Sequence, residues 1–317
     1  MQALSGSGKA LARGGAADPT LYTRRSCPSR ARISPERPVA TDMGILGTAV
    51  RDEGKRTLLG VRVSVCDYEG ATARILEAAR EPRSFAVSCA AVHGIMVGAL
   101  DPVHRYRLNH FDMVTPDGQP VRWGLDLLHR TRLKDRVYGP TLSLHVAEAA
   151  AAEGLPVYLY GSESHVVEAL ARELAKRFPG LVIAGSEPSR FAKAGPGEWD
   201  GIATRIRDSG ARICFVGLGC PRQELWVWAL SDRLGMPTLC VGATFDYHAG
   251  LKQDAPMWMQ SFGVHWLWRL AHEPSRLWKR YLFLNPAYIF LMAAQLLRLW
   301  KPDTEGRMPD LNEAVPA

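Results

Sequence analysis

The chain lacks the markers of several function classes. No Asp-x-Asp occurs in its 317 residues, so the usual carboxylate clamp for a Mg²⁺-diphosphate has no obvious ligands and no metal site is expected. No Cys-x-x-Cys occurs either. The six cysteines, at 27, 66, 89, 214, 220 and 240, have neither redox nor zinc-finger spacing, and four lie in apolar, strand-like runs, as buried free thiols of a reducing cytoplasm do. There is no Gly-x-Ser-x-Gly, and the nine histidines are scattered, so no Ser-His-Asp set is recognisable. The N-terminal stretch has no apolar core of the kind a secretory signal needs. The strongly apolar run Ala287 to Leu297 is broken by Gln295 and falls well short of the roughly twenty residues that span a bilayer. Acid is in short supply: 32 Asp and Glu stand against 39 Lys and Arg, a net +7 that favours partners such as nucleic acid, anionic lipid or phosphate-bearing substrates.

What is present is globular, with 47% hydrophobic and 22% charged residues. Residues 1 to about 43 are rich in Gly, Ala, Ser, Pro and Arg and have no period. They carry seven basic residues against Asp18, Glu36 and Asp42, the composition of a disordered extension, and Met43 is an alternative start. The expected organisation is a disordered basic extension over 1–57, an α/β core over 58–255, a helical appendage over 256–301 and a loose tail over 302–317. In the core, apolar runs at Val61–Val65, Phe85–Ala90, Asp112–Val114, Val157–Tyr160, Val182–Ile183, Ile213–Val216 and Thr238–Val241 read as strands. Helical patterns lie between them, at 71–80, 93–100, 121–128, 141–152, 166–177, 199–207 and after 222. This alternation predicts a mostly parallel, Rossmann-like sheet wrapped by helices.

The densest stretch is Arg212-Ile-Cys-Phe-Val-Gly217-Leu-Gly219-Cys-Pro221-Arg222-Gln223-Glu224. It reads as a buried strand, a glycine turn and a helix start. Gly217 and Gly219 permit a tight turn and a close backbone approach to ligand. Pro221 suits a first helical turn, whose free N–H groups suit an anion such as a diphosphate. Arg222, Gln223 and Glu224 are expected at the mouth of the site. A dinucleotide fingerprint wants a third glycine at position 222, where Arg stands. Asp117, between Pro116 and Gly118 at a strand end, is the strongest acid/base candidate, although Asp before Gly is also a common turn former. Asp246, in Gly242-Ala-Thr-Phe-Asp246-Tyr-His248, is a candidate for a ribose hydroxyl or a helix cap; with His248 it makes two metal ligands, too few for a site. Gly161-Ser-Glu-Ser is a second candidate anion turn or a plain helix cap.

From Pro256 the pattern changes to three helical segments, Trp258–Ala271, Ser275–Phe283 and Ala287–Trp300. Residues 265–301 hold six basic residues against Glu273, a net +5, interleaved with Trp266, Trp268, Trp278 and Trp300. Such a segment fits nucleic acid, lipid headgroups or a solvated helical face; lying at an interface fits its length better than spanning.

Taken together, Thr115-Pro-Asp117-Gly118, Leu159-Tyr-Gly161, Gly217-Leu-Gly219-Cys-Pro221-Arg-Gln223-Glu224, Gly242-Ala-Thr-Phe-Asp246-Tyr-His-Ala-Gly250 and the run Trp266-Leu-Trp-Arg269, Glu273-Pro274-Ser-Arg276, Lys279-Arg280-Tyr281 resemble the WecG/TagA/CpsF family of bacterial glycosyltransferases over about residues 58–300. The resemblance implies an inverting, peripheral enzyme at the cytoplasmic face of the plasma membrane, working in cell-surface or exopolysaccharide synthesis. It would move an N-acetylmannosamine-type or other hexose from a UDP-sugar onto a polyprenyl-diphosphate-linked sugar. No bound metal or cofactor is implied, and nucleic acid is not a partner. Asp117 would be the general base and Gln223 a catalytic-pocket residue. Cys89, Gly118, Gln119, Gly161, Gly217, Gly219, Arg222, Glu224 and Asp246 would contact substrates. Arg269, Arg276 and Arg280 would come from a membrane-contacting appendage. Where the family usually carries Thr-x-Asn, this chain has Val87-Ser-Cys89-Ala-Ala-Val-His93, with no Asn. Two other readings stand beside it: a Rossmann-like nucleotide-sugar or NAD oxidoreductase, and a non-catalytic basic module for membrane or nucleic acid. Oligomeric state, a homo-oligomer included, is not fixed by the sequence.

Overall fold

The computed structural model describes residues 52–189 and 196–310. The extension before residue 52 and the end of the tail after 310 lie outside them.

Among the described residues the chain opens with an antiparallel hairpin, β1 (Asp52–Leu58) and β2 (Val61–Cys66). It continues through α1 (Tyr68–Arg80), β3 (Phe85–Ala90), α2 (Val92–Leu100), α3 (Pro102–Asn109), β4 (Met113–Pro116), α4 (Gln119–His129), α5 (Gly139–Glu153), β5 (Val157–Gly161), α6 (Ser164–Arg177) and β6 (Ile183–Glu187). The remainder is α7 (Pro196–Asp208), β7 (Ile213–Gly217), α8 (Arg222–Leu234), β8 (Pro237–Cys240), α9 (Thr244–His248), α10 (Met257–Ser261), α11 (His265–His272) and α12 (Pro274–Leu296). The expected α/β class is observed: β3 to β8 form one parallel sheet in the order β4-β3-β8-β7-β5-β6.

The strands are short and apolar because both faces are covered. On one face Ile95, Val121, Leu125, Trp199 and Trp226 build a core from α2, α4, α7 and α8, which Tyr288 and Met292 of α12 join. On the other, Ile75, Val146, Leu170 and Phe245 bring in α1, α5, α6 and α9. The hairpin sits by the outer strand β4, where Ser64 Oγ accepts a hydrogen bond from the Val114 N–H at 3.2 Å. All five cysteines among the described residues are free thiols, as their spacing implied.

Four expectations need correction. The unstructured extension was placed through residue 57, but β1 begins at Asp52; its sequence, DEGKRTL, is too charged to read as a strand, and pairing with β2 supplies its order. The tail is not loose from 302. Asp303 pairs with Arg105 at 2.8 Å, the Thr304 carbonyl accepts from Asn109 Nδ2 at 2.8 Å, and Glu305 pairs with Arg62 at 2.9 Å. The helix expected over 258–271 is broken at Gly263, whose φ is +70°. The two helices expected over 275–300 are one, α12, with Pro286 inside it. Among the described residues no helix is long and apolar enough to cross a membrane.

Candidate active site

Parallel strands deliver their carboxyl ends to one edge of the sheet, and there open α/β sheets place their ligands. Here that edge gathers Cys89 and Ala90 from β3, Asp117 after β4, Gly161 from β5, Gly217 at the end of β7 with Gly219 after it, and Gly242 after β8. The site residues read from separate motifs therefore converge from five strand ends.

Asp117 leaves β4 with its backbone N–H 3.3 Å from the Ala90 carbonyl. Its Oδ2 accepts the Gly139 N–H at 2.8 Å, the first residue of α5. A positive helix terminus thus faces the carboxylate. Glycine at 139 permits this close packing, since a Cβ there would lie 3.1 Å from Asp117 Oδ2 and 3.2 Å from Cys89 Cβ. Burial in the cleft pushes the Asp117 carboxyl above its ordinary range, opposed by Arg136, the Gly139 N–H, His265 and Arg269. A carboxylate with raised proton affinity, close to cations that stabilise its charged form, is suited to accept a proton. Burial likewise pushes the Cys89 thiol far up, with Asp117 adding to it, so Cys89 is a neutral wall rather than a nucleophile.

The glycine turn is built tightly. Gly161 pairs opposite Gly217, and at φ +128° a Cβ on Gly161 would lie 2.7 Å from the Gly217 carbonyl carbon and oxygen. Above Gly219, at φ +78°, a Cβ would meet nothing within 4 Å, so the turn faces open space. Gln223 Oε1 accepts the Gly219 N–H at 3.1 Å, and its Nε2 donates to Glu224 Oε1 at 3.0 Å. Ser88 Oγ on β3 donates to the same Glu224 oxygen at 3.1 Å. The three residues expected at the mouth are therefore divided. Arg222 is exposed, whereas Gln223 and Glu224 are buried beneath the turn and brace it. Burial raises the Glu224 carboxyl; Gln223 and Ser88 oppose it.

Other candidates are placed less directly. Gly118 is the N-cap of α4. Gln119 is buried, donating to Asp135 at 2.9 Å and accepting from Arg122 at 2.8 Å. Asp246 lies in the short helix α9 and pairs with Lys252 at 3.1 Å, while His248 Nε2 is 2.8 Å from the Pro140 carbonyl. The two therefore serve different partners and do not form a metal pair.

The appendage closes onto this edge. Asp254 sits 3.0 Å from His265 Nε2 and accepts from Tyr138 Oη at 3.1 Å. Although burial opposes it, His265, the Ala255 N–H and Tyr138 hold the Asp254 carboxyl below its ordinary range. Arg136 donates to Gln260 at 2.7 Å and stacks over the Tyr138 ring with 4.1 Å to the centroid. Arg269, on α11, lies where it acts on Asp117, Tyr247 and Tyr138. Lys252 bridges Asp246 and Glu273, the latter at 2.8 Å, and Glu273 also pairs with Arg276. Arg280 is half-buried, its Nε has no hydrogen-bond partner, and burial lowers its proton affinity. Sequence reasoning missed Arg136, Tyr138, Asp254 and His265. The stretch Tyr138-Gly-Pro-Thr was legible only as a helix start, and nothing in the sequence joins residues 136–138 to 254–265.

The carboxyl edge of the sheet thus brings a carboxylate with raised proton affinity together with a helix N-terminus and arginines, an arrangement suited to a transferase. Residues 56–302 match the glycosyl transferase WecG/TagA/CpsF family. The chain belongs to that family, and the protein is a glycosyltransferase. It is 26% identical over 211 residues, 66% of this chain and 79% of the relative, to the N-acetylglucosaminyldiphosphoundecaprenol N-acetyl-beta-D-mannosaminyltransferase of Bacillus spizizenii. The oxidoreductase and the non-catalytic module are thereby set aside.

Proposed function

We propose that the protein transfers a hexose, of the N-acetylmannosamine type or another, from a UDP-sugar to a sugar carried on polyprenyl diphosphate, with inversion at the anomeric carbon. The observation that carries this reading is Asp117. Its Oδ2 is held by the Gly139 N–H, which leaves Oδ1 to take the proton of an acceptor hydroxyl. The freed oxygen attacks the anomeric carbon from the face opposite the diphosphate, the bond to UDP breaks, and UDP leaves with the electron pair. The N-terminus of α8 and the arginines would stabilise the negative charge on the leaving diphosphate. No step is assigned to a metal or cofactor. The acceptor named for the Bacillus spizizenii relative supports a lipid-diphosphate sugar as substrate.

The appendage supports a peripheral position at the cytoplasmic face of the plasma membrane, in cell-surface or exopolysaccharide synthesis. Along α12 the pairs Leu282 and Phe283, Ile289 and Phe290, and the C-terminal Leu296 and Leu297 are all exposed, which makes an apolar stripe at helical repeat. Each such side chain gains up to about 1.5–3 kcal/mol when fully buried, and each basic residue near an anionic leaflet adds about 1 kcal/mol. The stripe and the net +5 charge thus suit a helix lying in the interface.

A screen of UDP-sugars against a short-chain lipid-diphosphate N-acetylglucosamine tests the reading. Transfer from one donor is expected, with inverted anomeric configuration in the product by NMR. Transfer with retention would refute the single-base mechanism, and no transfer from any UDP-sugar would refute the donor class.

A further inference from the structure

Beneath the glycine turn, three side chains from separate elements bring donor atoms together. His104 on α3, Cys220 in the turn after β7 and Glu224 at the start of α8 place one donor atom each within 4.8 Å of the others. His104 and Glu224 are each 1% exposed, and His104 Nε2 and Glu224 Oε2 have no hydrogen-bond partner. Buried polar atoms left unpaired are costly; the Cys220 thiol reaches Glu224, and an ion at this point would take the place of its proton and give His104 Nε2 a partner. We propose that His104, Cys220 and Glu224 bind a divalent zinc-class ion.

The donor chemistry selects the ion. A thiolate, an imidazole and a carboxylate suit Zn²⁺, whereas Mg²⁺ and Ca²⁺ call for oxygen ligands throughout. Bound as thiolate and carboxylate with a neutral imidazole, the ligands offset both positive charges of the ion, which suits a buried position. Three protein ligands leave a fourth position for water. Cys220 is only partly buried, whereas His104 and Glu224 are fully so. The surrounding bonds are those of a ligand already oriented: Glu224 Oε1 is fixed by Ser88 and Gln223, which leaves Oε2 for the ion. Gln223 in turn holds the Gly219 N–H. The ion would tie α3 to the turn and to α8 and so set the turn's position from below. It takes no part in proton or sugar transfer, and the inference does not rest on the proposed donor or acceptor.

The test uses the full chain, purified without a histidine tag or chelator, under reducing conditions and from zinc-supplemented medium. Mass spectrometry of the metal is expected to give about one zinc per chain, and the melting temperature to fall by about 5 °C or more on stripping and to return with zinc. Cobalt replacing zinc should give a thiolate-to-cobalt charge-transfer band. Cys220→Ser should abolish the band, and His104→Gln should retain less than about a tenth of the zinc. Less than about a tenth of a zinc per wild-type chain with no cobalt band would overturn the proposal. A band that survives in Cys220→Ser would also overturn it, because another thiol would then be the ligand. If either variant fails to fold, X-ray absorption at the zinc edge of the wild type decides. One sulfur with nitrogen and oxygen neighbours supports the site, and no sulfur or more than one refutes it.

Discussion

Replacing Asp117 by Asn separates chemistry from stability, because the structure predicts opposite signs for the two. The amide is nearly the same shape and its oxygen can still accept the Gly139 N–H, so the start of α5 should not move. What is lost is a group able to take the acceptor's proton. Loss of a general base typically costs about 10²–10⁴ in rate, or roughly 3–5.5 kcal/mol of barrier. Stability moves the other way. The folded state raises the Asp117 pKa above its ordinary 3.8. Below that value the carboxyl is protonated in both states and contributes nothing. As pH rises, the unfolded chain releases its proton first, so the wild type loses stability between 3.8 and the raised folded pKa and stays less stable above it. An uncharged amide at this position undergoes no such loss. Every tenfold change in proton affinity is worth about 1.4 kcal/mol, or about 2–4 °C in the melting temperature of a domain this size. Asp117→Asn should therefore melt higher than wild type at pH 8, with a smaller gap at pH 5. Initial transfer rates and thermal melts at the two pH values check both halves. The wild-type kcat/KM should also have an acidic limb above the ordinary carboxylate range. A variant rate within about threefold of wild type would refute the base assignment. A variant that melts lower at pH 8 would refute the argument from burial.

Three further outcomes are expected. Gly161→Ala should cost about 3 kcal/mol or more, since its Cβ would meet the Gly217 backbone at 2.7 Å, while Gly154→Ala, with a positive φ but open space around it, should cost only about 1; melts of the pair compare them, and equal losses would refute the contact argument. Phe283→Ser with Phe290→Ser should reduce sedimentation with anionic liposomes about tenfold or more and leave transfer to a water-soluble acceptor within about twofold; unchanged sedimentation would remove α12 as the membrane contact. Omitting Mg²⁺ and Mn²⁺ should leave the initial rate unchanged, and a rate that rises about tenfold on adding either would refute transfer without a metal clamp on the diphosphate.

The parts legible in the sequence were those fixed by local pattern. Short apolar runs bounded by glycine and proline gave the parallel strands, and the Gly217–Glu224 stretch gave a turn whose donors and glycines lie at the sheet edge as expected. The parts that were not legible depend on distant partners. Helix α3, PVHRYRLN, looks like a polar loop; His104, Arg105, Arg107 and Asn109 are nevertheless buried, Asn109 by bonds to the Gly60 and Thr304 carbonyls. Gln223 and Glu224 follow an exposed Arg222, and only their bonds to Gly219 and Ser88 reveal that they turn inward. Pro286 reads as a helix start, but the helix runs through it and packs Tyr288 and Met292 on the core. Arg136, just before α5, and His265, on α11, both reach the Asp117 cleft, a meeting that no spacing rule contains.

The bonds from Asp303, Thr304 and Glu305 to α3 and β2 change the mechanical character of everything between residues 254 and 303. A segment fastened at one end is an arm that swings; one fastened at both ends is a bail, like the handle of a bucket. Asp254 secures one end through Tyr138, and Arg105 secures the other through Asp303. Force applied to the exposed ridge of α12 is therefore shared among these two ends and the contacts that Tyr288 and Gln295 make on the sheet domain between them. Cutting the chain just before Asp303 would release one of these fastenings without removing a residue of α12.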